Sequence, residues 1–151
     1  MTPTSEPQVQ FLGVHHVLIV VPPDKKEEAK HFYEEIIGFV PLENPLESSP
    51  SGNMWWYACG RSEFHVALLA DHTVHTRPHA AFLVSNLMAL RARLKRHGIE
   101  PRLDYSYKGH WRIYVTDPWN NRTEYISQLP PGMTADEAEA VLSKGTDAST
   151  S

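Results

Sequence analysis

Cys59 is the only cysteine among 151 residues. A single thiol excludes an intrachain disulfide framework and any Cys-rich zinc site, and leaves a reducing, cytoplasmic setting as the expectation. No run approaches the roughly 20 consecutive apolar residues of a membrane span, and the polar start "MTPTSEPQ" lacks the apolar core of a secretory leader. Contact with a membrane is therefore not expected. Positive charge is in deficit, 14 Lys and Arg against 18 Asp and Glu, for a formal net charge of -4. That balance provides no broad basic field for nucleic acid, so the expected partner is a small molecule. What remains, 41% hydrophobic and 21% charged residues, suits one globular domain with a real core.

The start and the end "KGTDASTS" are small and polar and read as tails, residues 1–9 and part of 131–151. Between them, residues 10–130 form a single domain. Its first half opens with the strand "GVHHVLIVV" and continues into a helix over "DKKEEAKHFYEEIIGF". Ala29, Phe32, Tyr33, Ile36 and Ile37 fall at helical spacing there, and Gly38 is placed to end the helix. "NMWWYACG" and "EFHVALLA" then read as two strands joined at Gly60 and Arg61. The same order recurs in "HAAFLV", the amphipathic "NLMALRARLKRHGI", and the strands "HWRIYVTDP" and "NRTEYIS". From His16 to His79 is 63 positions, from Gly38 to Gly98 is 60, and from His65 to Glu124 is 59. So steady an offset marks two copies of one strand-helix-strands module, about residues 13–70 and 77–128. Last, "TADEAEAVL" reads as a short peripheral helix with a capping box between Thr134 and Glu137.

Side chains alternate across a strand, so His16 shares a face with Leu18 and Val20, and His65 with Ala67 and Leu69. His79 likewise falls with Ala81 and Leu83, and Glu124 with Ile126. Burying an unpaired imidazole or carboxylate among apolar neighbours costs several kcal/mol, so such groups meet one another, bind an ion, or stay exposed. If the modules pair about an approximate twofold axis, His16 is matched by His79 and His65 by Glu124. Their nitrogen and oxygen donors suit one divalent ion: Zn, Fe(II), Mn, Co or Ni. Trp55, Trp56, Tyr57, Tyr114 and Trp119 either wall the pocket or fill the core. Arg112, alternating with Trp111 and Ile113, either enters the pocket to hold a carboxylate or phosphate, or faces solvent. His72 and His75 belong to the linker between modules, and His31 and His97 to exposed helix faces.

"HHVLIVV…HFYEEIIGF" with "HAAFLV…LRARLKRHGIEP…WRIYVTDPWNNRTEYI" resembles the vicinal oxygen chelate superfamily, the glyoxalase, bleomycin-resistance and extradiol dioxygenase proteins. The resemblance spans residues 13–127, and "YVTDPWNNRTEYI" is its most specific part. It implies an α+β fold of two βαβββ modules whose curved sheets enclose a metal-centred pocket, commonly in a homodimer. Carried over, it makes His16, His79 and Glu124 metal ligands and His65 a fourth, with His15 facing away in a structural role. Glu124 or His65 would then serve as proton base, and Arg112, Tyr114 and Trp56 would touch substrate. The activity implied is a metal-dependent one on a small substrate with adjacent oxygens, leaning toward lyase or isomerase chemistry. Ring cleavage at Fe(II) held by three ligands is one alternative, and metal-free ligand binding of the bleomycin-resistance kind is another. The fosfomycin branch is disfavoured because "YISQLPPGMT", after Glu124, holds no Lys or Arg.

Overall fold

The computed structural model describes residues 12–43, 52–70, 73–74, 77–107, 109–134, 136–137 and 140. In the first half β1 (His16–Val21) leads through a 3-10 turn (Pro23–Lys25) into α1 (Lys26–Lys30). A π-helical stretch (His31–Ile37) continues it, followed by β2 (Val40–Leu42), β3 (Met54–Cys59) and β4 (Ser62–Leu68). The second half repeats the order as β5 (Ala80–Leu83), α2 (Leu87–Arg96), β6 (Leu103–Asp104), β7 (His110–Thr116) and β8 (Arg122–Gln128). Each half builds one four-stranded mixed sheet, ordered β1-β4-β3-β2 and β5-β8-β7-β6, with β1 parallel to β4 and β5 parallel to β8. These are the two βαβββ modules. The short edge strands β2 and β6 carry too few residues to show a pattern of their own.

The first helical segment buries Ala29, Phe32, Tyr33 and Ile37, the stripe its spacing calls for. Its second half widens from α to π geometry, and the N–H groups of Gly38 and Phe39 both donate to the Tyr33 carbonyl. Gly38, at φ 97°, supplies the left-handed residue that ends it. In the second module the Asn86 side chain caps α2 by accepting from the Ala89 N–H at 2.9 Å, and Leu87 and Leu94 face the core.

Alternation sends Phe64 and Val66 of β4 inward, with Trp55 and Tyr57 of β3 and Trp111, Ile113 and Val115 of β7. From β8 come Thr123 and Tyr125. Phe82 of β5 then crosses to the first module, its ring centroid 5.1 Å from Phe39 and 5.3 Å from Phe64. The modules thus share one core. Each such side chain contributes on the order of 1.5–3 kcal/mol by leaving water.

A polar clamp adds to the junction. Asp117, in the turn between β7 and β8, accepts from the Tyr33 hydroxyl at 2.7 Å and from the N–H groups of Trp119 and Asn121 at 2.9 and 2.8 Å. The Asn121 amide donates to Asp117 at 2.8 Å and to the Val20 carbonyl of β1 at 2.9 Å. Most of "DPWNN" is therefore a turn that ties the second module to the first. Thr134 and Glu137 form the reciprocal capping box expected of them, while most of the rest of that helix lies outside the described residues. No helix among the described residues is long and apolar enough to cross a membrane.

Candidate functional site

In each sheet the expected site residues sit across from one another on neighbouring strands. Trp56 on β3 sits opposite His65 on β4, and Tyr114 on β7 opposite Glu124 on β8. The structure gathers these residues into two groups, one per module.

In the first, the rings of His16 and His65 stack with centroids 4.2 Å apart and planes 9° from parallel. Trp56, 3% exposed, meets the His65 ring edge-on at 5.7 Å. His65 Nε2 lies 2.7 Å from a Glu63 carboxylate oxygen, and that hydrogen bond holds the Glu63 carboxyl below its ordinary range. Imidazole lone pairs lie in the ring plane, so two parallel rings cannot aim at one centre. His16 and His65 would have to rotate to share an ion. His15 precedes the strand, so alternation does not orient it; it is exposed, with its Nδ1 2.9 Å from that of His16.

The second group is better prepared. His79 Nδ1 lies 2.8 Å from the Arg77 carbonyl, which can only accept, so Nδ1 carries a proton. In neutral His79 the remaining nitrogen, Nε2, presents a lone pair, and it lies 3.0 Å from a Glu124 carboxylate oxygen. Two acceptors at that distance repel unless a proton or a metal cation lies between them. A backbone carbonyl on one nitrogen with the other left free is also the way proteins orient metal-binding histidines. The chemistry of this pair therefore fits a divalent ion.

Glu124 is 4% exposed. Burial alone would raise its carboxyl, but hydrogen bonds from His79 and Tyr114 and the Arg112 guanidinium outweigh that and hold it below its ordinary range. Arg112 Nη1 lies 3.3 and 3.4 Å from the two Glu124 oxygens, while Nη2 reaches Ser106 at 3.0 Å and Asp104 at 3.5 Å. Arg112 thus enters the site with its charge already shared between two carboxylates. Tyr114 is the hub of this group: His79 meets its ring edge-on at 5.4 Å, and Arg122 lies over it at 3.9 Å.

Among the described residues no group of three or more His, Cys, Asp or Glu side chains comes together so as to hold a metal ion. His16 and His65 form one pair and His79 and Glu124 another. Glu63 and Arg122 were not singled out from the sequence, although alternation alone puts Glu63 on the face of His65 and Arg122 on that of Glu124. Cys59 is half-buried with its thiol pushed up by burial, His31 and His97 are exposed, and His72 and His75 lie outside the described residues.

Two βαβββ modules in this strand order, packed on one core, define an α+β fold class. The chain belongs to the Glyoxalase/Bleomycin resistance protein/Dioxygenase superfamily, whose profile matches residues 13–125. It is similar to a glyoxalase family protein from Bacillus anthracis at 31% identity, covering 82% of this chain and 100% of that one, with a TM-score of 0.74. A lactoylglutathione lyase from Agrobacterium tumefaciens shares the fold at 15% identity, covering 78% and 95% of the two chains, TM-score 0.61. So does the fosfomycin resistance protein FosX from Listeria monocytogenes, at 16% identity and 85% and 98% coverage, TM-score 0.59. No curated protein matches the sequence.

Proposed function

We propose that this protein is a divalent-metal-dependent enzyme of the glyoxalase and dioxygenase type, leaning toward lyase or isomerase chemistry on a small substrate with adjacent oxygens. The observation that carries the reading is the His79–Glu124 pair, whose Nε2 and carboxylate oxygen lie 3.0 Å apart, a spacing that one proton or one metal cation can bridge. His79 and Glu124 would hold the ion from the second module, and His16 and His65 from the first. The donor types suit Zn, Fe(II), Mn, Ni or Co. Such an ion, when bound, supplies Lewis acidity toward neighbouring substrate oxygens.

The protein's own groups do the rest. Glu124, kept ionised by His79, Tyr114 and Arg112, is the base that takes a proton from substrate at a carboxylate oxygen, and His65 is the second proton carrier. Trp56 and Tyr114 wall the site, and Trp56 keeps water from His65. Because the two donor pairs stay separate within the described chain, we place the complete site in a homodimer, between His16 and His65 of one protomer and His79 and Glu124 of its partner. Leu83, 78% exposed on the same face as His79, is surface that a second copy would cover. A lone, half-buried thiol accords with a cytoplasmic setting.

Two observations favour other readings. The hydrogen bond from His65 to Glu63 leaves His16, His79 and Glu124 as a two-histidine, one-carboxylate set, the arrangement for an Fe(II) ring-cleaving dioxygenase. Arg112 already satisfies both Glu124 oxygens, as a metal-free ligand-binding protein would require. Metal analysis of untagged protein, loaded in turn with each of the five ions, decides between metal and none. About one ion per chain, lost in His79→Ala, supports the metalloenzyme; no ion from any of them supports the binder.

A further inference from the structure

Arg122 stands apart from the other cation of this face. Arg112 is engaged by Glu124, Asp104 and Ser106, but Arg122 has no carboxylate within salt-bridge distance among the described residues. Its guanidinium nonetheless lies against an aromatic ring, the central carbon 3.9 Å from the Tyr114 centroid. It is half-buried and forms a wall common to two clefts. One, of about 460 Å³, runs between β1 and the start of β5, where Leu18, Val20, Val74 and Pro78 give an apolar lining beside His79. The other, of about 500 Å³, holds Arg102, Asp104 and Ser106. Setting Arg102, Arg112 and Arg122 against Asp104 and Glu124 leaves one positive charge on this face. A half-buried guanidinium held by a cation–π contact, with its donors unused by any carboxylate among the described residues, is arranged to take one as a fork.

We propose that Arg122 is the anion-recognition residue of the cleft between β1 and β5, and that the ligand is a small carboxylate with an apolar body. The carboxylate bonds to Arg122, and the body lies along Leu18, Val20 and Val74. This deepens the reading of the His79–Glu124 site by naming a substrate class, yet Arg122 needs no metal to bind its anion. It also moves the anion-binding role from Arg112, whose charge is already used, to Arg122.

The test is titration calorimetry and two-dimensional NMR on the full chain, with chelator present, using benzoate and hexanoate against their neutral matches, benzamide and hexanamide. Wild type should bind the carboxylates at least about tenfold more tightly than the amides, the scale of one charge-assisted hydrogen bond. Arg122→Gln should abolish that preference while leaving amide binding unchanged, and Arg122→Lys should restore part of it. Arg102→Gln should leave the preference intact. Shifted amide resonances should cluster at Leu18, Val20, Val74 and Arg122. Equal binding of acids and amides, carboxylate binding by Arg122→Gln at the wild-type level, or no binding of either up to 20 mM (roughly the weakest affinity a specific site would show) would overturn the proposal. Carboxylate selectivity in a protein that takes up no metal would refute the metalloenzyme reading and leave this one standing.

Discussion

Replacing Asp117 by Ala removes the acceptor that joins the two modules. Two buried donors lose it: the Tyr33 hydroxyl, on a residue 0% exposed, and the N–H of Asn121, 6% exposed. A hydrogen bond to a charged group contributes about 1.5–3 kcal/mol, and a buried donor without a partner forfeits it in full. Trp119 is half-buried, so its N–H can turn to water, and the Asn121 amide keeps its bond to Val20. Removing a buried carboxylate gives part of the cost back. The expected loss is about 3–5 kcal/mol, large beside the roughly 5–15 kcal/mol of a whole domain. Urea unfolding followed by tryptophan fluorescence measures it, provided the slope is unchanged. Tyr33→Phe should cost less, and in the Asp117→Ala background almost nothing, so the double-mutant cycle should report coupling of about 1–2 kcal/mol. Asp117→Asn adds a pH arm. Burial raises the Asp117 carboxyl above its usual 3.8, although hydrogen bonds from Tyr33, Asn121 and Trp119 pull the other way. A folded-state value above the unfolded one contributes stability below pH 3.8 that is lost as pH rises through the folded value. Wild type should therefore gain on Asp117→Asn as the pH is lowered toward 3.8. A loss under about 1 kcal/mol for Asp117→Ala, or strict additivity with Tyr33→Phe, would refute the clamp.

Arg112→Gln removes a cation from both Glu124 oxygens, so divalent-ion affinity measured by competition with a chelating dye should rise at least fivefold, on the order of 1 kcal/mol for charges this close. Gly38→Ala should cost about 1–2 kcal/mol in thermal or urea unfolding: φ is 97° there, and a Cβ would run into the Arg93 guanidinium. Asn86→Ala should cost about 0.5–2 kcal/mol with no change in metal or ligand binding, because it only uncaps α2.

Much of the fold is legible in the sequence because burial writes itself as a period. A period of two placed His65 with Ala67 and Glu124 with Ile126, and helical spacing marked Phe32, Tyr33 and Ile37 for the core. The constant offset between His65 and Glu124 exposed the duplication. β2 and β6, three and two residues long, are too short for alternation to register. Nor does spacing distinguish the π stretch from ordinary helix, since the residues it buries are the same. The site was legible as residues and faces but not as contacts. Whether His65 meets Glu63 or an ion, and whether Arg112 or Arg122 keeps a free charge, depends on side-chain neighbours drawn from strands far apart in sequence. The clamp was visible only as the run "DPWNN", whose Asp117 and Asn121 find their partners, Tyr33 and Val20, 84 and 101 positions away.

A mixed dimer tests most directly whether one ion is shared between donor pairs of two protomers. One chain carries His16→Ala with His65→Ala, the other His79→Ala with Glu124→Gln, each with a different tag free of histidine. Neither homodimer should bind metal. In the mixed dimer one site draws on two intact pairs, so tandem-purified protein should hold one ion per dimer. No ion in the mixed dimer, where wild type binds one per chain, would contradict a shared site.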